Sequence, residues 1–462
     1  IVASPVHVAV TIPPGTGPRP SMSSVRSTGP DPAREARRGV PGFRSMRLRL
    51  FSVVAFVLLL AAACGGDDDT STDPGDVQPA PDSSASSSAQ PTTEEPAAPS
   101  TGPSLTGTVG AGWEARAIGE GTKPVLALGP GDTPGVAFLL EDVAGGFVAY
   151  ADQGGGWAVD RLVEGYFYGP IGLDYAPDGT PNIAYHDHQA GSFRPDLGDL
   201  THARLGAGGW EIQAAASDGH DGWDSTIRVG DDGVVRAAGV DPSQFDRVEG
   251  IEYYELVDGG WQVEAIGTGP IEYEWNVDLQ VAPDGTPGLT YFQTDSQDLI
   301  FASRAADGTW SLETVDADGD SGRFSSFAFD PTGAVHISYW NADTGEVRYA
   351  GNATGTWQVE TVGVLEQVQI GFEGARRITS LALDPAGDVH IAYSDAGGIW
   401  MADRAEDGSW SSEQLVVAGS RPLGELVSLE IDATERPHLA YYEITGNGPL
   451  TGVVAYLTTA AG

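Results

Sequence analysis

From Leu105 onwards, the chain consists of short runs in which apolar and polar residues alternate, separated by turn-forming residues. Residues 379–416 show the pattern best: the runs TSLALD, VHIAYSD, GIWMADRA and SWSSEQLV are separated by PAGD, AG and EDG. Alternation with a period of two is typical of β-strands, and Pro, Gly and Asp favour tight turns. Since no stretch has the period of a helix, the pattern predicts groups of four short antiparallel strands.

A Gly followed closely by Trp marks the start of the fourth strand in every group. The seven marker residues are Trp113, Trp157, Trp210, Trp261, Trp310, Trp357 and Trp410. Four-stranded units that recur every ~50 residues are typical of β-propeller blades. The last unit stops after three strands, while residues 112–119 form a fourth strand without a group of its own. The sequence therefore predicts an all-β fold, a seven-bladed β-propeller with four antiparallel strands per blade, whose N-terminal strand closes the last blade.

Residues 1–104 differ from the repeats. Arg47 and Arg49 precede an apolar run at 50–60 that is short for a bilayer span, which takes about 20 residues. This segment is typical of a signal peptide, and its end resembles the lipobox of bacterial lipoproteins, although Ala61 stands where that family usually has Leu. The resemblance implies that Cys64 is lipidated; an ordinary signal peptide cleaved nearby is the alternative. We interpret the chain as over-called upstream translation or disordered sequence (1–45), a lipoprotein signal peptide (46–63), the lipidated Cys and a disordered tether (64–104), and the propeller (105–462).

The charge and the cysteine content exclude several kinds of partner and site. The 462 residues include 24 Lys and Arg against 65 Asp and Glu, which gives a net charge of −41. Such a chain is a poor partner for nucleic acid, because phosphate contacts need Lys and Arg. The single Cys excludes an intramolecular disulfide and a Cys-rich zinc site. We expect a monomer outside the cytoplasm, held at the cell membrane by its lipid and facing the cell surface or the periplasm.

The turn before the marker Trp resembles that of the Asp-box, or bacterial neuraminidase repeat, propellers. That family has Ser-x-Asp-x-Gly-x-x-Trp, and SRAADGTW (303–310) keeps its Ser and Trp at that separation. The acid and the glycine fall later, as the adjacent pair Asp307 and Gly308. The resemblance implies a propeller fold, since the motif concerns folding. Sialidases of this type have six blades and an arginine triad with one member on the first blade, where this chain has Lys123, so sialidase activity is not expected.

Candidate ligand-binding residues are those that break the repeat. Residues at one place in several blades are expected to be structural: His336, His390 and His438 through hydrogen bonds between blades, and the marker Trp residues through packing. By analogy with other propellers, ligands bind on the face that carries the D–A and B–C loops. The candidates there are Arg323, Arg376, Arg377, Arg421, Trp223, Glu272, Glu274, Trp275, His186 and Trp340. Arg binds carboxylate or sulfate through two hydrogen bonds, and aromatic rings stack on sugars. Neutralisation of acidic loops by Arg, and relaxed packing at strand ends, are the alternatives.

A possible calcium site lies in DADGDSG (316–322). Asp316, Asp318 and Asp320 occupy alternate positions, as in calcium loops. Ser321 stands where Gly is expected, and Phe327 stands where a bidentate Glu is expected. Calcium is the one cofactor that the sequence suggests, and a solvated acidic turn is the alternative.

Catalytic chemistry has weaker support. Glu272 and Glu274 with Asp218, Asp221 or Asp224 could supply paired carboxylates, and His186, His188 or His220 could act as bases. Their spacing is not diagnostic, and phosphate-binding loops and nucleophile elbows are missing. The sequence favours a non-catalytic cell-surface binding module for a glycan, a peptide or an envelope protein. An extracytoplasmic glycoside hydrolase or lyase and a structural scaffold of an envelope complex are the alternatives.

Overall fold

The computed structural model describes residues 103–142, 145–167, 169–188, 198–216, 222–241, 250–267, 277–365, 368, 377–424, 426–445 and 451–460. All regular structure in these ranges is β-strand and turn. A helix long and apolar enough to cross a membrane is not found among these residues. The predictions for residues 1–102, including lipidation of Cys64, lie outside the described part of the chain.

The strands form seven blades, each with strands A to D in order from the ring axis outward; a short pairing of Phe167 with Asp187 joins blades 1 and 2 into one sheet. Two strands precede the first blade: β1 (Thr108–Val109) and β2 (Trp113–Glu120). Blade 1 has β3 (Thr122–Gly129), β4 (Thr133–Asp142), β5 (Gly145–Asp152) and β6 (Asp160–Phe167). Blade 2 has β7 (Gly172–Tyr175), β8 (Pro181–His188), β9 (Gly198–Gly206) and β10 (Gly209–Ala214). Blade 3 has β11 (Trp223–Val229), β12 (Val235–Asp241), β13 (Gly250–Val257) and β14 (Gly260–Ala265).

The remaining blades continue in the same order. Blade 4 has β15 (Asp278–Val281), β16 (Pro287–Gln293), β17 (Asp298–Arg304) and β18 (Trp310–Asp316). Blade 5 has β19 (Ser321–Phe329), β20 (Val335–Asn341), β21 (Glu346–Gly351) and β22 (Gln358–Val364). Blade 6 has β23 (Thr379–Leu383), β24 (Val389–Asp395), β25 (Gly398–Arg404) and β26 (Trp410–Val417). Blade 7 has β27 (Ser428–Ile431), β28 (Pro437–Ile444) and β29 (Gly452–Thr459), with β2 as its fourth strand.

The predicted seven-bladed propeller is confirmed, including the way the ring closes. Strand β2 pairs antiparallel with β29, so that Trp113 lies opposite Thr459 and Ala115 opposite Leu457. The sequence did not predict β1, which pairs with β26 and adds a fifth strand to blade 6. The N-terminal segment therefore contacts both blades that flank the closing seam.

The marker Trp residues join neighbouring blades. Six of them pack their rings against a strand-C side chain of the preceding blade, with ring centroids 4.8–5.9 Å apart. The pairs are Trp157–Tyr456, Trp210–Tyr150, Trp261–His202, Trp310–Tyr253, Trp357–Phe301 and Trp410–Tyr349. For the seventh, Trp113, the strand-C residue is Met401, which belongs to the same hydrophobic cluster. These contacts confirm the structural role expected of the marker Trp residues, because aromatic side chains bury a large apolar area.

The recurrent strand-B histidines are also structural. The His438 ring lies between the Tyr456 hydroxyl, 2.5 Å from Nδ1, and the Asp432 carboxylate, 3.1 Å from Nε2. Oδ1 of Asp432 accepts the backbone N–H groups of Thr434 and Arg436, which fixes the A–B turn. His336 and His390 occupy the same position in their blades. His336 lies between Asp330 and Tyr349. His390 lies between Asp384 and Asp403. These contacts all lie within one blade, so the prediction that the histidines form hydrogen bonds between blades was wrong.

The innermost strands are joined around the axis by side chains. Each strand A leaves backbone N–H groups unpaired on its inner edge, and such groups need a partner when they are buried. Ser428 Oγ accepts the N–H of Leu126 at 3.0 Å between blades 7 and 1. Asp278, Ser326 and Ser380 accept the corresponding N–H groups of Phe327, Leu381 and Leu429. One hydrogen bond of this kind therefore recurs at four of the seven blade junctions.

Candidate functional site

The two faces of the ring differ in the regularity of their loops. Six of the seven A–B turns have five residues, and the C–D turns have between two and seven. The D–A connections range from one residue to fourteen, the longest lying between Val364 and Thr379. Variation along the chain is thus concentrated on the D–A and B–C face, where ligand binding was predicted. Parts of several of these loops lie outside the described residues, and with them the candidates Arg376, Glu272, Glu274, Trp275, Asp218, Asp221 and His220.

Arg323 and Arg421 are paired with groups of the protein. Both Nε and Nη2 of Arg323 bond the Asp320 carboxylate, the second at 2.5 Å, and its Cζ lies 4.8 Å above the centre of the Phe292 ring. Arg421 Nη1 donates to the Ser104 carbonyl at 3.0 Å and lies 3.9 Å from the Glu443 carboxylate. Anion recognition by either residue stays a prediction, and it would have to compete with these contacts.

Glu443 holds the N-terminal segment to the ring. Its carboxylate is fully buried and accepts the backbone N–H groups of Thr106, at 2.8 Å, and Gly107, at 2.7 Å. The Thr106 hydroxyl donates to the same carboxylate at 3.1 Å. A buried charge is tolerated when several donors surround it, so this cluster fixes the segment that leads into β1.

His186, Trp223 and Trp340 lie in the packing between strands. His186 is buried and meets the Trp223 ring edge-to-face, with centroids 5.3 Å apart. Trp340 is buried and stacks on Phe324 at 6.0 Å. Ligand binding by these side chains stays a prediction; Trp223 is half-buried, whereas contact of His186 or Trp340 with a ligand would require neighbouring residues to move.

The three aspartates of the predicted calcium loop contact different protein groups. Asp316 Oδ2 accepts bonds from the Tyr339 hydroxyl at 2.7 Å and from Arg348 Nη1 at 3.0 Å. Asp320 pairs with Arg323, and the exposed Asp318 carboxylate lies 3.5 Å from Nη2 of Arg348. Groups of three or more His, Cys, Asp or Glu side chains that could hold a metal ion are not found within the described ranges. Calcium binding at Asp316, Asp318 and Asp320 stays a prediction, for which each of the three carboxylates would have to leave an Arg partner.

A cavity of about 810 Å³ lies on the ring axis and is lined by strand A of every blade. The same strand-A position holds a polar side chain in four blades, namely Asp174, Arg228, Gln280 and Glu430. The equivalent residues in blades 5, 6 and 1 are Ala328, Ala382 and Ala127. The polar side chains of blades 2 to 4 are therefore neighbours, while Glu430 in blade 7 lies between Ala382 of blade 6 and Ala127 of blade 1, whose short side chains leave room beside it.

Most of the charged channel residues have partners. Arg228 Nε donates to Gln280 Oε1 at 2.9 Å, and its Nη2 lies 3.6 Å from Asp278 Oδ1. Asp174 accepts the backbone N–H groups of Tyr175 at 2.8 Å and Val229 at 2.7 Å. Arg377, which the sequence placed among the rim arginines, lines this cavity instead.

Two channel groups have fewer contacts. Arg377 is 9% exposed, and its Nε has no hydrogen-bond partner among the described residues. Burial lowers the pKa of Arg377, although nearby Asp278 opposes the shift. Burial also raises the pKa of Glu430 to about 7, and the neighbouring Asp174 and Asp278 add to this while Arg228 opposes it. The pKa of Asp174 is raised by burial as well.

Another carboxyl with a raised pKa lies on the D–A and B–C face. Asp187 in β8 is opposite Asp199 in β9. Burial, with a smaller contribution from Asp199, raises the pKa of Asp187 to about 6. Titratable groups with shifted pKa values in a cleft are candidates for functional residues. The flanking His186 and His188 were predicted from the sequence as candidate bases, whereas Asp187 was not predicted.

The Glu430 carboxyl predicts a pH dependence of stability. Between pH 4.5, its usual pKa, and pH 7, the folded protein keeps a proton that the unfolded chain has lost. The contribution of Glu430 to stability therefore falls as the pH rises through this window and is constant above it. Glu430→Gln cannot lose a proton, so its melting temperature relative to wild type should rise between pH 4.5 and 7. Thermal unfolding of both proteins at several pH values tests this, and parallel curves would contradict it.

Comparison with known proteins finds distant structural similarity only. No protein-family model and no curated sequence match the chain. A protein of unknown function from Dyadobacter fermentans is 14% identical over 75% of this chain and 99% of its own, with a TM-score of 0.46. The α-L-arabinofuranosidase of Fusarium graminearum, solved with arabinobiose, is 15% identical over 63% of this chain and 92% of its own, with a TM-score of 0.42. The intramolecular trans-sialidase of Ruminococcus gnavus, solved with oseltamivir carboxylate, is 13% identical over 74% of this chain and 96% of its own, with a TM-score of 0.41. At these identities and scores, the similarity carries no conclusion about the activity of this chain, which we describe only as a seven-bladed β-propeller.

Proposed function

We propose that the protein is an extracytoplasmic lipoprotein, anchored through Cys64, whose propeller is a binding module for a glycan, a peptide or another envelope protein. The ligand binds on the D–A and B–C face. The observation that supports this is the contrast between the faces: six A–B turns share one length, while the D–A connections vary from one residue to fourteen. Loops that vary on a constant scaffold are where binding residues concentrate.

Binding to glycan and peptide arrays tests the proposal. The full chain should bind members of one ligand class, and Trp275→Ala and Arg376→Ala should each weaken binding about tenfold or more, as truncation of aromatic and Arg anchors does. The matched control is Arg204→Ala, because the Arg204 side chain is 52% exposed near the C–D turn on the opposite face. An array with no bound ligand, or loss of affinity in the control alone, would refute a ligand site on the loop face.

A hydrolase or lyase is the second candidate, and the raised pKa of Asp187 beside Asp199 favours it. The same arrays distinguish the two. Cleavage of a bound glycan that is abolished by Asp187→Asn would support the enzyme, whereas unchanged ligand after long incubation would support the binding module. Selective capture of envelope proteins, without glycan or peptide binding, would favour the scaffold.

A further inference from the structure

We propose that the central channel is a second ligand site, reached from the A–B face, for a small zwitterion that carries an ammonium and a carboxylate group, such as a free amino acid. This site lies on the ring axis and is separate from the loop face of the proposed function. A negative result for one of the two proposals therefore does not refute the other.

The inner end of the channel offers a cation without a full set of partners. Arg377 lines the cavity and is nine-tenths buried, and its Nε has no hydrogen-bond partner among the described residues. A buried guanidinium is costly unless acceptors surround it. A carboxylate is its best-matched ligand, because the two planar groups can form paired hydrogen bonds.

The wall offers an anion that is similarly available. Glu430 faces the same cavity and interacts electrostatically with Arg228 and Arg377. The other charged wall groups have hydrogen-bond partners: Asp174 and Asp278 accept backbone N–H groups, and Arg228 donates to Gln280. Among the wall charges of the described channel, Glu430 and Arg377 are thus the two that we assign to a ligand.

The mouth of the channel selects against simple anions. Asp231, Asp232 and Asp284 line the cavity at the A–B turns of blades 3 and 4. This acidic mouth disfavours a ligand with negative charge only, while Arg377 gives a ligand that also carries a carboxylate an ion pair that a simple cation lacks. A molecule with both charges can place its carboxylate at Arg377 and its ammonium at Glu430. The cavity of about 810 Å³ is large enough for an amino acid with bound water.

The titration of Glu430 gives the site a pH dependence. An ammonium group needs the ionised carboxylate, and the pKa of Glu430 is about 7, under the influence of Asp174, Asp278, Arg228 and Arg377. Binding of an amino acid should therefore tighten as the pH rises from 6 to 8.

Calorimetry with the full chain tests the site. The probes are the twenty standard amino acids, with acetate and ethylamine as controls that carry one charge each, at constant ionic strength. We expect at least one amino acid to bind at least tenfold more tightly than either control. Binding of ethylamine at equal affinity, or no amino acid bound at 10 mM, would overturn the proposal.

Two variants separate the roles of the charges. Arg377→Gln should lose the preference for an amino acid over ethylamine, and Glu430→Gln should lose the preference over acetate, each with at least a tenfold fall in amino-acid affinity. Arg204→Gln, outside the channel lining, should bind as wild type does. A change in selectivity is not produced by general destabilisation, and thermal unfolding of each variant checks that it is folded. Unchanged selectivity in both folded variants would refute the assignment of these residues.

Discussion

A chain that lacks residues 1–120, and with them β1 and β2, is expected to be insoluble or to unfold without a cooperative transition. Removal of β2 leaves the outer edge of β29 with unpaired backbone groups from Gly452 to Thr459. It also uncovers the hydrophobic cluster that contains Leu439 and Leu457. An open, apolar strand edge promotes association between chains, and the ring loses the strand that completes its seventh blade.

Expression and thermal unfolding of three chains measure this effect. The chain from residue 103 should unfold cooperatively. The chain from residue 111 keeps β2 but loses the donors to Glu443, and a buried carboxylate without them costs about 1–3 kcal/mol or more. Its melting temperature should therefore fall while it still folds. If the chain from residue 121 melts as the longest one does, closure by β2 is not what holds the ring together.

Replacement of Trp410 by Ala is expected to lower the free energy of unfolding by about 3 kcal/mol. Trp410 packs on Tyr349 of blade 5 with ring centroids 5.4 Å apart, and its Nε1 donates to Glu360 at 2.9 Å. Glu360 also binds Arg404, whose Cζ lies 5.3 Å from the centre of the Tyr349 ring. One substitution thus removes an aromatic contact and a hydrogen bond between blades 5 and 6.

Urea unfolding of matched variants tests the Trp410 prediction. Leu312→Ala is the control, because Leu312 follows its own marker Trp by two positions but is 45% exposed. Its effect should stay within about 0.5 kcal/mol. Trp410→Phe keeps a ring against Tyr349 and should lose less than Trp410→Ala. Equal losses for Trp410→Ala and Leu312→Ala would show that the marker Trp does not join the blades.

The fold could be predicted from the sequence because each blade repeats the same local information. The marker Trp residues and the A–B turn aspartates recur at one register, and each is explained by a contact that also recurs. Strand β1 could not be predicted, since two residues, Thr108 and Val109, carry no period. Its pairing depends on Glu443, which is more than three hundred residues away in the chain.

The candidate site was predicted less completely for a different physical reason. Rim residues were chosen by sequence alone, and the sequence does not show which side chains are buried: Arg377 lies in the channel wall. Arg323 is held by Asp320, and its guanidinium lies over the Phe292 ring of the preceding blade. The channel charges did leave a signal, because Asp174, Arg228 and Glu430 interrupt otherwise apolar inner strands at one register. That signal is meaningful only once the register position is known to face the axis.

The attachment of the N-terminal segment has a mechanical consequence. Residues 104–109 meet the ring at the seam between blades 6 and 7, where β1 runs antiparallel to β26 and Glu443 binds Thr106 and Gly107. Hydrogen bonds between antiparallel strands lie perpendicular to the strands, so a pull along β1 loads them in shear, together and not one after another. Tension that enters from the preceding chain is borne first by this seam, and the force needed to detach β1 sets the load at which the propeller begins to open.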